Sequence, residues 1–417
     1  MAAVSKNNGN AENNMTHDRI AELERRCPEV EPELVARVVE RFPEHYFESF
    51  DDSELAEHVK ALAGLSPQQP VAVRIRRSED GAEVTFFSFD APGEFSVLAG
   101  LLSATGFDIA SGQVYTEPRS DRFAGEKPSE PPTHKKHHHG RGGARRGERR
   151  GARSWYRRAS TASSQPRTES RRFIVDHFFG HPRGTFDTWK TEVSEKAHEF
   201  LSLMHAGGEG RYDEVKRRVT EDVATALDRF PVRQERALYP VDVNVEPGET
   251  TTRMRVTGVD TPFFLYALSS ALVLHQMSIE RVEIHTRGEQ IEDLFEFVDA
   301  SGRPVTDERR LNQIRLSVAF TKQFTYFLTV APDRYQALLR FERLIQDFLT
   351  LSERDQLDAV LSSPKVLQDL ARLLGASDFL WEDFIRLQHE QLLPLLEQSK
   401  ERILSHPPEQ ISQLLEA

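Results

Sequence analysis

Two stretches of this chain follow the same order. The first is Val84-Thr-Phe-Phe-Ser-Phe-Asp-Ala-Pro-Gly-Glu-Phe-Ser-Val-Leu-Ala-Gly-Leu-Leu-Ser-Ala-Thr-Gly-Phe-Asp-Ile109. The second is Met254-Arg-Val-Thr-Gly-Val-Asp-Thr-Pro-Phe-Phe-Leu-Tyr-Ala-Leu-Ser-Ser-Ala-Leu-Val-Leu-His-Gln-Met-Ser-Ile279. Each opens as a strand and turns at an aspartate with a proline two residues later: Asp90 and Pro92, then Asp260 and Pro262. An apolar run at helical spacing follows, and extended structure returns after it. Phe95, Leu98, Ala99, Leu101 and Leu102 fit one helix face in the first copy, and Phe264, Leu268 and Leu272 in the second. The copies differ just after the proline, where Gly93 is matched by Phe263.

Outward from this repeat, Val71, Val73 and Ile75 alternate with polar residues, and Val241-Asp-Val-Asn-Val245 is extended. Phe173-Ile-Val-Asp-His-Phe-Phe179, Ile279 to Thr286 and Ile291 to Val298 also have strand spacing. Residues 186–229 read as two helices separated by Gly207-Gly-Glu-Gly210. Residues 17–64 are helical in pattern, with Asp52 or Ser53 as the expected N-cap of a helix running to Leu62. Thr306 is the expected N-cap of a helix rising from Asp307, and the remainder is helical in pattern. Its stripes are Leu338, Phe341, Leu344, Ile345 and Phe348, then Leu367, Leu370, Leu373 and Leu374.

The 417 residues are 38% hydrophobic and 29% charged, which predicts that part of the chain is not packed. That part is 117–172, nearly free of aliphatic residues. A net charge of −12 conceals it: residues 134–172 hold thirteen Lys/Arg against Glu148 and Glu169 only. His134, His137, His138 and His139 have no thiolate or carboxylate beside them, so no metal site is expected. The Arg/Gly run with Trp155 and Tyr156 reads as a flexible charged insertion rather than a nucleic-acid site, so nucleic acid is not expected as a partner. His17-Asp18 and Asp176-His177 lack the further ligands of a metal phosphohydrolase. Gly207–Gly210 lacks the Lys-Ser/Thr of a phosphate loop. The single Cys27 excludes a disulfide framework and is expected to be a small helix residue. No apolar run spans a membrane and the first residues lack a secretory core, so a cytoplasmic protein is expected.

The strand, Asp-x-Pro turn, helix and strand resemble the ACT domain, a βαββαβ ferredoxin-like module that binds amino acids. Asp90, Pro92 and Gly93 carry the match in the first copy, Asp260 and Pro262 in the second. Arg41-Phe-Pro-Glu-His-Tyr-Phe47, Asp51 to Leu62 and the two units are together similar to the C-terminal part of bacterial PII uridylyltransferase. Ala331 to Leu344, followed by Leu370-Ala-Arg-Leu-Leu-Gly-Ala-Ser-Asp-Phe-Leu380, looks like the N-terminal start of glutamine synthetase adenylyltransferase.

The fold class expected is therefore α+β: two ferredoxin-like, ACT-type units followed by an all-helical C-terminal region. The expected organisation is 1–16 disordered, 17–64 helical, a first unit over 70–180 with the insertion 117–172, a helical spacer over 184–230, a second unit over 241–306, and helices over 307–417. The resemblance implies Asp90, Pro92, Gly93, Asp260 and Pro262 as effector-loop residues. It implies glutamine, or another amino acid, as effector, PII protein or glutamine synthetase as protein partner, and a homodimer through the ACT units. The Gly-Ser…Asp-x-Asp motif that holds metal ions in those families is absent from this sequence. No catalytic residue is expected here, and magnesium and ATP would belong to a catalytic domain this chain lacks. Two functions follow: an amino-acid-sensing regulatory portion of such a nucleotidyltransferase, or a non-catalytic interaction module that binds a protein and no small molecule.

Overall fold

A computed structural model describes residues 16–118, 171–207, 210–229, 241–261, 263–328, 331–348, 370–372 and 374–375. The expectations for residues 1–15, for 119–170 of the insertion, for 208–209, 230–240 and 329–330, for Pro262 and Leu373, for 349–369 including Leu367, and for everything from 376 onward lie outside them.

Alternating side chains build the strands. Val71–Arg77 (β1) and Ala82–Phe89 (β2) form an antiparallel hairpin with Val73 opposite Phe86. Helix α5 (Glu94–Ala104) follows, then Phe107–Thr116 (β3) and Phe173–Pro182 (β4). The second half repeats this as Val241–Pro247 (β5), Thr252–Val259 (β6), helix Phe264–Leu274, Ser278–Arg287 (β7) and Gln290–Val298 (β8). The spacing is constant at 170 residues: β1 to β5 is 71 to 241, β2 to β6 is 82 to 252, and helix to helix is 94 to 264.

All eight strands lie in one antiparallel sheet, ordered β1-β2-β4-β3-β7-β8-β6-β5. The halves meet at β3 and β7, where Val114 pairs with Val282. The order along the chain corrects the expected βαββαβ. In each half the edge strand comes first, through a hairpin, so the order is ββα followed by ββ and a helix. The reason is local: only residues 78–81 separate β1 from β2, too few for anything but an antiparallel return.

One face of the sheet carries α5, helix Phe186–His205 (α6), helix Arg211–Arg229 (α7), helix Phe264–Leu274 (α8), helix Glu308–Phe327 (α9) and helix Arg334–Phe348 (α10). The helices expected as a spacer thus pack on the sheet: Trp189, Val193 and Phe200 share one core with Val84 and Phe86. The central helices α5 and α8 are buried on nearly every side rather than along one stripe, because sheet and outer helices enclose them. Leu370 and Leu374 join this core, and Arg340 Nη1 donates to the Leu374 carbonyl at 2.7 Å.

The opposite face of the first half is covered by the N-terminal helices, residues 16–26 (α1), Pro32–Arg41 (α2), Glu44–Ser49 (α3) and Asp52–Ala63 (α4). Leu23, Val38, Tyr46 and Val59 pack there on Phe87, Phe89, Tyr115 and Val175. Cys27 lies just past α1, buried, its thiol donating to the Ala56 carbonyl. The same face of the second half presents Arg253, Arg255 and Glu292, with ion pairs Arg253–Glu296 and Arg255–Glu292 across the strands.

Two caps fall within two residues of their expected positions. Asp51, not Asp52 or Ser53, caps α4: its carboxylate accepts from Ser53 N and Glu54 N, and Glu54 reaches back to Asp51 N. Asp307, not Thr306, caps α9 by accepting from Arg310 N at 2.8 Å. In both cases a carboxylate reaches the amides three residues on. Among the described residues no helix is long and apolar enough to cross a membrane.

Candidate functional site

Both Asp-x-Pro loops lie at the N-terminal ends of the central helices, where backbone amides point outward. The chain secures each in the same way. Asp90 N donates to the Arg172 carbonyl at 2.9 Å, and Asp260 N donates to the Glu289 carbonyl at 2.7 Å. Gly93 and Phe263 are both in the left-handed region, with φ 85° and 61°. That conformation suits glycine and strains phenylalanine. Beneath each loop an aspartate stands in the apolar phase of its strand. Asp176 pairs with Phe86 and Asp293 with Val256, which are equivalent positions in the two halves. Both aspartates are buried.

The surroundings then diverge. The second loop opens on a cavity of about 110 Å³ between the halves. Gly106, Asp108, Ile109 and Arg183 wall it from the first half, and Asp260, Thr261, Phe263, Ile284 and Asp293 from the second. Asp293 Oδ1 is buried without a hydrogen-bond partner among the described residues. Lys322, on α9, donates to Thr261 Oγ1 at 2.8 Å, and its ammonium sits 4.0 Å above the Phe264 ring. Burial pushes the Lys322 ammonium down to about 8, against the opposing pull of Asp260 and Asp293. Burial pushes the Asp293 carboxyl up to about 7. Near neutral pH the groups around the Asp260 loop can therefore change their charge with little free energy.

The first loop is occupied by side chains among the described residues. Arg172 bonds Asp90 through Nε at 3.1 Å and Glu280 through Nη1 at 2.8 Å, and also the Glu117 carbonyl. The Tyr212 ring covers Gly93 so closely that a Cβ there would lie 2.2 Å from it. Behind the loop, Glu94 is buried and accepts from Ser88 Oγ. Burial, then the nearby Asp176, raises the Glu94 carboxyl well above its ordinary range. His205 lies 3.9 Å from Glu94, but burial, with help from Arg171, holds its imidazole down to about 4.

Of the residues expected from sequence, Asp90, the exposed Pro92 and Gly93 thus stand in a filled loop and Asp260 beside a cavity, while Pro262 lies outside the described residues. Asp108, Arg183, Asp293 and Lys322 were not expected. A signal for one was available: Ile291, Asp293, Phe295 and Phe297 share a strand face, and an acid in that apolar phase is conspicuous. Among the described residues, no group of three or more His, Cys, Asp or Glu could hold a metal ion.

With this geometry in place, comparison with known proteins relates the chain to part of a nucleotidyl-transferring enzyme. It is 25% identical over 273 residues to the bifunctional uridylyltransferase/uridylyl-removing enzyme of Azospirillum brasilense, covering 65% of this chain and 23% of the relative. It is 23% identical over 253 residues to the enzyme of the same name from Bordetella pertussis, covering 60% of this chain and 22% of the relative. A shorter stretch of 98 residues is 33% identical to that of Rhodospirillum rubrum. The chain spans less than a quarter of the length of these relatives. No family model matches it, and no solved structure does.

Proposed function

We propose that this chain is the amino-acid-sensing, regulatory portion of a nitrogen-metabolism nucleotidyltransferase of the PII uridylyltransferase and glutamine synthetase adenylyltransferase type. Its two repeated halves act as a pair of ACT-type units, and glutamine or another α-amino acid enters between them at the Asp260 loop. The observation that carries this is the cavity there, with a buried Asp293 oxygen in its wall that has no hydrogen-bond partner among the described residues. A buried polar atom without a partner invites one. Asp293 would face an α-ammonium group, while the Arg183 guanidinium lies in the same wall for a carboxylate. At about 110 Å³ the space lies below the ~300–1,000 Å³ of pockets for drug-sized ligands, which favours a small metabolite over a nucleotide.

The sequence lacks the Gly-Ser…Asp-x-Asp pattern, so nucleotidyl transfer to PII protein or glutamine synthetase is expected only from a catalytic domain elsewhere. Those two proteins are the partners such a portion would meet. Its β3–β7 seam already pairs the units within one chain, so a homodimer would use other surfaces, such as the edge strands β1 and β5.

The test is a thermal melt of the purified chain in millimolar L-glutamine and, in parallel, each other amino acid. A rise in Tm that Asp293→Leu removes is expected. No shift with any amino acid would leave the interaction module, which the filled first loop favours. Labelled UTP or ATP incorporated into either target by this chain alone, and blocked by chelation, would overturn the non-catalytic assignment.

A further inference from the structure

We propose that Arg172 is a built-in occupant of the first loop, so that the chain closes one of its two equivalent ligand positions with its own side chain and leaves one open. This rests on taking the Asp260 cavity as the amino-acid site, but its test separates the two. The backbone gives positions 172 and 289 the same task, since each carbonyl accepts from the aspartate amide of its loop. Their side chains then part. Glu289 is exposed and leaves its loop free to border the cavity. Arg172 turns inward, with its side chain 15% exposed, between Asp90 of one half and Glu280 of the other.

Two carboxylates drawn from opposite halves and closing on a cation would bind an ammonium or guanidinium headgroup. The chain supplies that headgroup itself, with hydrogen bonds to both acids and to the Glu117 carbonyl. Tyr212 closes the other side by lying against Gly93, the residue whose missing side chain would otherwise leave room. A purely structural ion pair would explain the bonds to Asp90 and Glu280. It does not account for the equivalent position in the other half bordering open space. The loop closer to the ACT pattern, which keeps its glycine, is therefore the closed one.

Removing the plug should leave a site for a free guanidinium. In the full chain, Arg172→Ala is expected to lower Tm, and ethylguanidinium at about 10 mM to restore most of the loss. The same ethylguanidinium should leave the wild type and the Arg172→Ala/Asp90→Asn variant unmoved. A folded Arg172→Ala that ethylguanidinium does not restore, or a wild type it shifts equally, would overturn the proposal. Should Arg172→Ala fail to fold, calorimetric titration of the wild type with L-glutamine decides. One molecule per chain, abolished by Asp293→Leu, supports the plug, whereas two per chain or binding lost in Asp90→Asn instead removes it. Ethylguanidinium rescue together with no glutamine binding would keep Arg172 as occupant and discard the amino-acid site.

Discussion

Ser96 Oγ and Ser270 Oγ share a hydrogen bond of 2.9 Å where the two central helices cross. Small side chains at that crossing let the helices approach closely. The matching contact one turn away is between Gly100 and Tyr266, and Tyr266 is held by a 2.6 Å hydrogen bond with Thr220 on α7. A Cβ on Gly100 would lie 2.3 Å from Val219 and 2.8 Å from Tyr266. Gly100→Leu is therefore expected to destabilise the chain by about 3 kcal/mol, at the upper end of overpacking costs. Urea unfolding checks this, and an unchanged midpoint would mean that the helices are not in contact at Gly100.

Glu117 should make stability sensitive to acid. Its carboxylate is fully buried and paired with Arg37 and Arg41, and it accepts from Phe173 N. Burial alone would raise its pKa, but the hydrogen bonds from Arg37 and Arg41 outweigh burial and hold it below the ordinary value. A depressed folded pKa gives stability that is present above the unfolded pKa and lost as pH falls through the folded one. Glu117→Gln should cost roughly 2 kcal/mol at pH 7, discounted because Arg41 is partly exposed, and progressively less toward pH 3. Chemical unfolding at both pH values measures the difference. An equal loss at the two would remove the charge from the explanation.

Asp293 has the opposite sign. Burial pushes its carboxyl up to about 7 in the folded chain, from an ordinary aspartate value of ~3.9. Between those values the unfolded chain releases a proton that the folded chain keeps, so stability falls as pH rises from about 4 to about 7 and then levels. Asp293→Asn should flatten that slope and raise stability at pH 8 by on the order of 1–3 kcal/mol. The same change should weaken amino-acid binding, the familiar opposition between stability and a working site. Melting curves across pH, with and without L-glutamine, read both effects. A variant less stable than wild type at pH 8 would show that the carboxylate is ionised and paired.

The two loop residues should respond differently to substitution. Phe263→Gly relieves a left-handed backbone, worth about 1 kcal/mol, but removes a buried ring, which costs about 3 kcal/mol. Loss of packing wins, and the variant should be less stable while its cavity enlarges. Gly93→Ala gains both strain and a collision with Tyr212, so it should lose at least about 2 kcal/mol. Tyr212→Ala in the same chain should recover part of that loss, and a double-mutant cycle by denaturant unfolding quantifies the coupling.

Much of the fold was legible because its signals are local. Strand alternation at Val71–Ile75 and Ile291–Val298, the Asp90 and Asp260 turns and the apolar helices after them all lie within short windows. The permuted order was hidden by its resemblance to the commoner arrangement, although Val71–Arg77 preceded the repeat in plain view. The β3–β7 seam joins residues far apart in sequence, such as Val114 and Val282, and periodicity carries no record of which strands meet. The site was least legible. Arg172 sits at the end of a basic run and reads as one more solvated cation, while its partners Asp90 and Glu280 are 82 and 108 residues away. Lys322 is equally inconspicuous on a helix with charged residues on several sides.

The cavity at the Asp260 loop takes its walls from both halves of a single polypeptide. Had the halves been separate molecules, the site would form only as far as they associate, and dilution would dissolve it. Tethering fixes their local concentration, whatever the amount of protein present. Were the proposed amino acid bound there, its occupancy would follow the ligand's abundance alone, independent of the gene's expression level.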